Sequence, residues 1–350
     1  MSISTELQSL NNNILGAYTA IQGKDGTVPE NKNMENLSAA IESIPSGGGG
    51  GGIGIPREID ANGVYRVPTQ SLSFSLPSDA IDVSDYALSN AFRSCKSLTS
   101  VDLSSLTKVT GSHALENAFY SSSLSSIELS SLATVKGESA FNRACYDCNN
   151  LVSVDFPALT VADSGNAFNS AFSGCHAITS AGFPALTTIK GSYAFSGAFM
   201  ACYRLTSISF PSLTTINGSN AFSYGFSGCN LLTSVDFPAL TTASGGSRIF
   251  DSAFNNCTNL VSVNFSSLAI MDKDSTFNNA FYGCTKLTSI SFPALTASSF
   301  GSYTSQFNQM LYHCADVTVH FPAAIESTIG SWNSVTSGFS GTNTTVLFDL

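Results

Sequence analysis

Apolar and polar positions recur in one pattern through most of this chain. It is clearest from Ala194 to Asn220, as AFxxAFxxCxxLTSVxFPxLTTIxGSx over about 27 residues, and returns almost unchanged from Ala221. The slot held by Cys95, Ser122, Cys148, Cys175, Cys202, Cys229, Cys257, Cys284 and Cys314 advances by 27, 26, 27, 27, 27, 28, 27 and 30 residues. A fixed period of this size predicts stacked units, none of which can bury its apolar face alone. Within a unit, Leu98, Val101 and Leu103 read as a strand with alternate residues facing out, and Leu205, Ile208 and Phe210 repeat the frame. Leu213 and Ile216 then point into the core, Gly218 permits a turn, and Ala221, Phe222 and Phe226 return at the helix-like spacing of 4. Two phenylalanine columns follow, one through Phe141, Phe168, Phe195, Phe222, Phe250 and Phe277, the other through Phe172, Phe199, Phe226, Phe254 and Phe281.

A different period rules the amino terminus. Ile3, Leu7, Leu10, Ile14, Ala17 and Ile21 are spaced as the a and d positions of a coiled coil, an apolar stripe too short to stand without partner helices. Met34, Leu37, Ile41 and Ile44 predict a second helix that Pro45 stops. The division expected is therefore a helical oligomerisation or anchor segment over 1–45, a Gly-rich linker over 46–54, an amino-terminal cap with a degenerate first repeat over 55–92, the repeat array over 93–322 and a carboxy-terminal cap over 323–350. In the last of these, Ala323 to Trp332 reads as a capping helix and Val346 to Phe348 as a closing strand.

Composition narrows the partners. Charged residues make up only 11% and the formal net charge is -10, so no basic footprint for nucleic acid or anionic lipid is present. No apolar run reaches the length of a membrane-spanning helix, and Met1–Leu10 lacks the apolar core of a secretory signal.

Candidate chemistry adds little to this picture. Eight of the nine cysteines share one repeat slot, where Ser122 replaces one, so buried packing thiols are expected rather than disulfides. Cys145 with Cys148 forms a single CxxC, weak evidence for a metal, and His113, His176, His313 and His320 have no metal-ligand spacing. The serines lack a nucleophile elbow, and the glycine run has neither the following helix nor the lysine of a phosphate loop. No enzymatic activity, metal or cofactor is expected. What remains is surface: the outward strand positions Asp102, Glu128, Asp155, Ser209, Asp236, Asn264 and Ser291, beside a ladder of small hydroxyls, suit a sugar or an extended protein. Tyr120, Tyr146, Tyr203, Tyr224 and Tyr282, near the return turns, offer a second face.

The run LTSISFPSLTTINGSNAFSYGFSGC, from Leu205 to Cys229, resembles the BspA-type leucine-rich repeat, from which it departs by a second AF-like step that lengthens the unit. The resemblance covers roughly Leu72 to Pro322. It implies an α/β repeat solenoid, a leucine-rich-repeat-like array of about nine 27-residue repeats behind a small helical segment, and a role in binding or adhesion rather than catalysis. Two further stretches, Ala17 to Pro45 and Glu58 to Pro68 (EIDANGVYRVP), are similar to amino-terminal modules of phage and prophage virion proteins. That second resemblance implies a fibre or tail-associated virion protein, assembled in the host cytoplasm and released by lysis, that attaches to a host surface glycan or protein. It also implies a homo-oligomer, a trimer in the manner of fibre-like parts, held to other virion proteins by the amino terminus. The alternatives are a bacterial cell-surface adhesin of BspA type and a capsid or tail decoration protein without a receptor.

Overall fold

The computed structural model describes residues 58–59, 65–66, 72–76, 78, 80–302, 304–330 and 344–350. The heptad positions Ile3 to Ile21, the helix expected over Met34–Ile44, the glycine run and Trp332 lie outside the described residues. A short antiparallel hairpin, Glu58–Ile59 with Tyr65–Arg66, precedes the array.

From Leu72 onward the chain winds as a repeat solenoid of about ten coils. Each coil contributes one strand to a parallel sheet in which residues 27 or so apart lie in register, Ser180 beside Ser207 and Ser207 beside Ser234. Alternation decides the facing. In the strand Ser207–Ser209 the central Ile208 is buried and both serines are exposed, because successive side chains of a strand point to opposite faces. A second parallel sheet of two-residue strands runs alongside, from Lys108–Val109 to Thr242–Ala243, with Val109, Val135, Ile189 and Ile216 turned inward. At the corner before it, the hydroxyls of Thr187, Thr214 and Thr241 each donate to the carbonyl of the threonine one coil back or its equivalent, Thr160, Thr187 and Thr214.

The third side is where the expectation of helix-like returns fails. Between Ser192 and Cys202 the amides of Tyr193, Phe195, Gly197, Phe199 and Ala201 donate to carbonyls of the next coil at 2.7–2.8 Å. The alternate amides of Ser196, Ala198, Met200 and Cys202 close turns onto the carbonyl three residues back at 3.1–3.2 Å. Tyr193, Gly197 and Ala201 all have φ of 58°, so every fourth residue is left-handed, which an α-helix cannot accommodate. The spacing of 4 is thus the period of a row of overlapping turns, and the row is a third hydrogen-bonded ladder. Each of these nine amides finds an acceptor, as burial demands.

The core fills the space between the three ladders. Both expected phenylalanine columns are present, stacked at 5.0 Å for Phe168 and Phe195 and 5.3 Å for Phe172 and Phe199. A third column, Phe156, Phe183, Phe210, Phe237, Phe265, Phe292, Phe321 and Phe348, stacks at 5.0–5.8 Å and meets the first edge-on. Burying each such ring contributes about 1.5–3 kcal/mol relative to exposure. At the carboxy-terminal end, the expected capping helix is a 3-10 turn over Ala323–Ile325 and a helical turn over Glu326–Ile329, with Ile325 and Ile329 buried. The closing strand Thr345–Phe348 pairs in parallel with Thr318–Phe321, and His320 bonds Asp349 at 2.9 Å.

Two substitutions test this packing. Phe210→Ala is expected to lower the unfolding free energy by about 3–5 kcal/mol in a denaturant titration. Ala201→Gly, at φ 58°, is expected to raise it by about 0.5–1 kcal/mol, the left-handed cost relieved less the extra chain entropy of glycine. A helical return would instead lose about that much.

Candidate binding surface

The structure brings the sequence-derived positions into one line. Asp102 stands in register with Glu128, and Asp155 with Gly182, Ser209, Asp236 and Asn264 in turn, while Ser291 registers with His320. Paired members are roughly 4.8 Å apart, the strand spacing. Beside them runs an unbroken hydroxyl column, Ser100, Ser126, Ser153, Ser180, Ser207, Ser234, Ser262, Ser289 and Thr318. Gly182 interrupts the acidic column, and the space it leaves is used: a Cβ there would lie 2.7 Å from Oδ1 of Asp155. The Ser104 side chain and amide, the latter at 2.9 Å, hold the Asp102 carboxyl below its ordinary range, so it is anionic at neutral pH.

This sheet is not one ladder. Strand Ser126–Glu128 ends one hydrogen-bonded set and Ser153–Asp155 begins the next, which runs to Ser262–Asn264; Ser289–Ser291 starts a third. Along the second seam lies a shallow cleft of about 240 Å³.

The turn face has the opposite character. Tyr86, Tyr120, Tyr146, Tyr193, Tyr203, Tyr224, Tyr282 and Tyr312 all sit in the returns or directly after them. Tyr120 stacks on Tyr146 at 5.0 Å and carries the Arg93 guanidinium on its ring at 4.3 Å. Tyr86 stacks on His113 and His176 on Tyr203, at 4.9 and 4.7 Å. Sequence reading found no metal-ligand spacing at His113, whose ring also meets Glu116 at 2.7 Å. It missed Tyr86, Tyr193 and Tyr312, whose signal was a place in the variable slots of the repeat. Tyr86, Tyr193 and Tyr224 adopt φ of 58°, 58° and 55°, in slots that hold Asn, Ser, Gly, His, Arg or Gln in other coils.

The cysteine column is internal, as expected, but it does more than fill space. Each thiol from Cys148 onward donates to a carbonyl of the preceding coil, Cys202 to Phe172 at 3.2 Å and Cys229 to Phe199 at 3.1 Å. Burial pushes the Cys257 thiol up to about 12 and Cys314 to about 11. At the CxxC, hydrogen bonding between the two thiols holds Cys145 up and Cys148 down. Among the described residues no group of three or more His, Cys, Asp or Glu is arranged to hold a metal ion, and no helix is long and apolar enough to cross a membrane.

Parallel strands stacked coil on coil, with an apolar residue at each inward position, define a leucine-rich-repeat solenoid. The chain belongs to the BspA-type leucine-rich repeat family, whose model matches it over residues 70–198, 116–225 and 196–328. It is similar to a solved leucine-rich repeat protein from Bacteroides ovatus, with 18% identity, 81% of this chain and 94% of that one covered, and a TM-score of 0.27. A leucine-rich repeat protein from Eubacterium ventriosum matches at 16% identity over 82% and 92%, with a TM-score of 0.30. The mouse RP105/MD-1 complex matches at 14% over 64% and 46%, with a TM-score of 0.26. No curated protein matches the chain.

The raised thiols fix a pH dependence. Cys257 holds its proton to about 12 when folded, against an ordinary value of 9.0, so its contribution is complete below pH 9.0 and is lost as pH rises toward 12. Chemical denaturation at stepped pH is expected to show stability declining across that window by up to about 1.4 kcal/mol per pH unit for this thiol. Cys257→Val is expected to flatten the decline, and a thiol reagent to label the native chain only after denaturant is added.

Proposed function

We propose that this chain is a non-enzymatic binding protein whose solenoid presents its outward strand face to a glycan or protein on a host cell. The observation that supports this most is the register of the outward columns: small hydroxyls, amides and carboxylates repeat at one spacing along the array, a geometry suited to many parallel hydrogen bonds with an extended ligand. The array is mounted, in this reading, on a phage or prophage virion as a fibre or tail-associated part. The similarity of Ala17 to Pro45 and of Glu58 to Pro68 to virion modules supports the mount, in which the heptad positions Ile3 to Ile21 are the seam between copies of a homotrimer and the amino terminus holds it to other virion proteins.

The BspA-type match favours a second reading, a bacterial surface adhesin, since such repeats occur in surface-exposed binding proteins. A decoration protein without a receptor is the third.

Particles or cells lacking residues 55–350 are expected to lose adsorption to their target by at least tenfold in a binding count, and normal adsorption would sink the receptor role. Finding the chain in purified virions separates the first reading from the second. For the mount, Leu10→Asp with Ile14→Asp is expected to reduce the mass measured by light scattering from a trimer to a monomer, and an unchanged mass would remove the coiled coil.

A further inference from the structure

We propose that the cleft between strands Ser262–Asn264 and Ser289–Ser291 is a binding site for one uncharged sugar residue. This rests on the binding-platform reading above and gives it a place and a ligand class.

The cleft exists because the ladder stops there. Strands from Ser153–Asp155 to Ser262–Asn264 are hydrogen-bonded in series, and Ser289–Ser291 bonds onward to Thr318–Phe321, but these two neighbours do not bond each other. Phe237 donates its amide to Asn264 at 3.1 Å and Phe292 donates to His320 at 3.0 Å, yet no such bond joins Phe265 to Ser291. One backbone donor and one acceptor therefore face the seam. The second sheet ends at the same level, with a single bridge from Thr242 to Ile270, and the following coil carries a 3-10 segment, Ala297–Phe300, in its place. The step from Ser262 to Ser289 is the ordinary 27 residues, and the lengthened step of 30, from Cys284 to Cys314, lies one coil further on, where Ser289–Ser291 pairs in register with Thr318–His320.

The lining supports a sugar over other ligands. Ser262, Ser266, Ser289 and Ser291 bring hydroxyls from both sides of the seam. Asn264 accepts the Ser266 amide at 2.9 Å through Oδ1, which fixes its carboxamide and leaves Nδ2 as a donor. Pro293, which is exposed, supplies an apolar floor, behind which Val263 and Ile290 lie turned into the core. No charged side chain lines the space; along the column Asp236 stands one strand before Asn264, and His320, one strand after Ser291, is paired with Asp349. An apolar floor with neutral donors and acceptors around it matches a pyranose, which has an apolar ring face and a hydroxyl edge. Phosphate or carboxylate would find no counter-charge. The volume of about 240 Å³ is below that of drug-sized pockets, so it takes a single ring. Affinity for one ring is expected to be roughly millimolar, with useful strength arising from several copies of the chain.

Full-length chain labelled at isoleucine and valine methyls is titrated, by NMR, with the methyl glycosides of glucose, galactose, mannose and N-acetylglucosamine. Saturable shifts confined to Ile290 and Val263 with at least one glycoside are expected. Ser289→Leu with Ser291→Leu, which fills the cleft, is expected to weaken that binding at least tenfold. Should that variant melt early, Asn264→Ala removes the central contact instead and is expected to lose binding to a similar extent, while Lys136→Gln, exposed beyond the second-sheet strand Thr134–Val135, changes nothing. Absence of any saturable shift, equal shifts at Val154 and Ile208, or binding that survives the filled cleft would overturn the assignment. If the filled variant adsorbs to cells normally while substitution of Asp102, Glu128 and Asp155 abolishes adsorption, the cleft falls and the platform reading stands.

Discussion

Everything in this molecule depends on the bonding of each coil to the next. A single coil has two or three residues per strand and a return made only of turns, none of which is stable alone. Its backbone becomes satisfied when a neighbour arrives: strand pairs with strand, the second strand pairs with its equivalent, and alternate amides of the return reach across to the next return. Three ladders on three sides close a triangular space, and the phenylalanine columns occupy it.

That constraint sorts the residues by how freely they vary. A phenylalanine in column must meet a ring on the coil above and below, which is why Phe156, Phe183 and Phe210 succeed one another. The thiols serve the same end with a weak hydrogen bond added, each tied to a carbonyl already bonded within its own coil. Ser122 fits the slot because its hydroxyl meets the Cys148 sulfur at 3.4 Å and keeps a polar partner in the buried column. Outward positions answer to no neighbour in this way, and there the sequence drifts from Asp to Gly, Ser and Asn along one column.

Most of this was legible because a period of 27 leaves few architectures, and because an LxxLxL frame fixes which strand residues face out. The acidic and hydroxyl columns followed from alternation alone. The returns were misread because AFxxAFxxC has the spacing of a helix face. The distinguishing signal was the residue before each Ala-Phe pair and before the cysteine: Asn90, Asn117, Asn166, Asn220, Gly197, Gly228 and Gly283 stand where left-handed φ is required. The third phenylalanine column was hidden inside the strand frame, where phenylalanine replaced leucine. The seam in the sheet was not announced by the repeat length, since Ser262 and Ser289 keep the ordinary step of 27 and the lengthened step before Cys314 comes one coil later, between strands that pair.

A repeat that is uniform on its outward face offers many equivalent places and selects none of them. Selectivity has to come from departures, and the departures here are of two kinds. On the turn face, Tyr86, Tyr193 and Tyr224 hold bulky side chains at left-handed φ, which costs of order 1–3 kcal/mol per residue where Asn or Gly would cost less. On the strand face, the break beside Asn264, one of two in the sheet, gives up the strand pairing that joins Ser153–Asp155 to Ser262–Asn264 in series. Both irregularities weaken the array locally, yet the return ladder runs on past the break, Phe277 donating to Gln306 at 2.8 Å. The solenoid can therefore carry a gap in one wall because the other side still holds the coils together, and this is how a repeat made for stacking comes to contain a place unlike the rest.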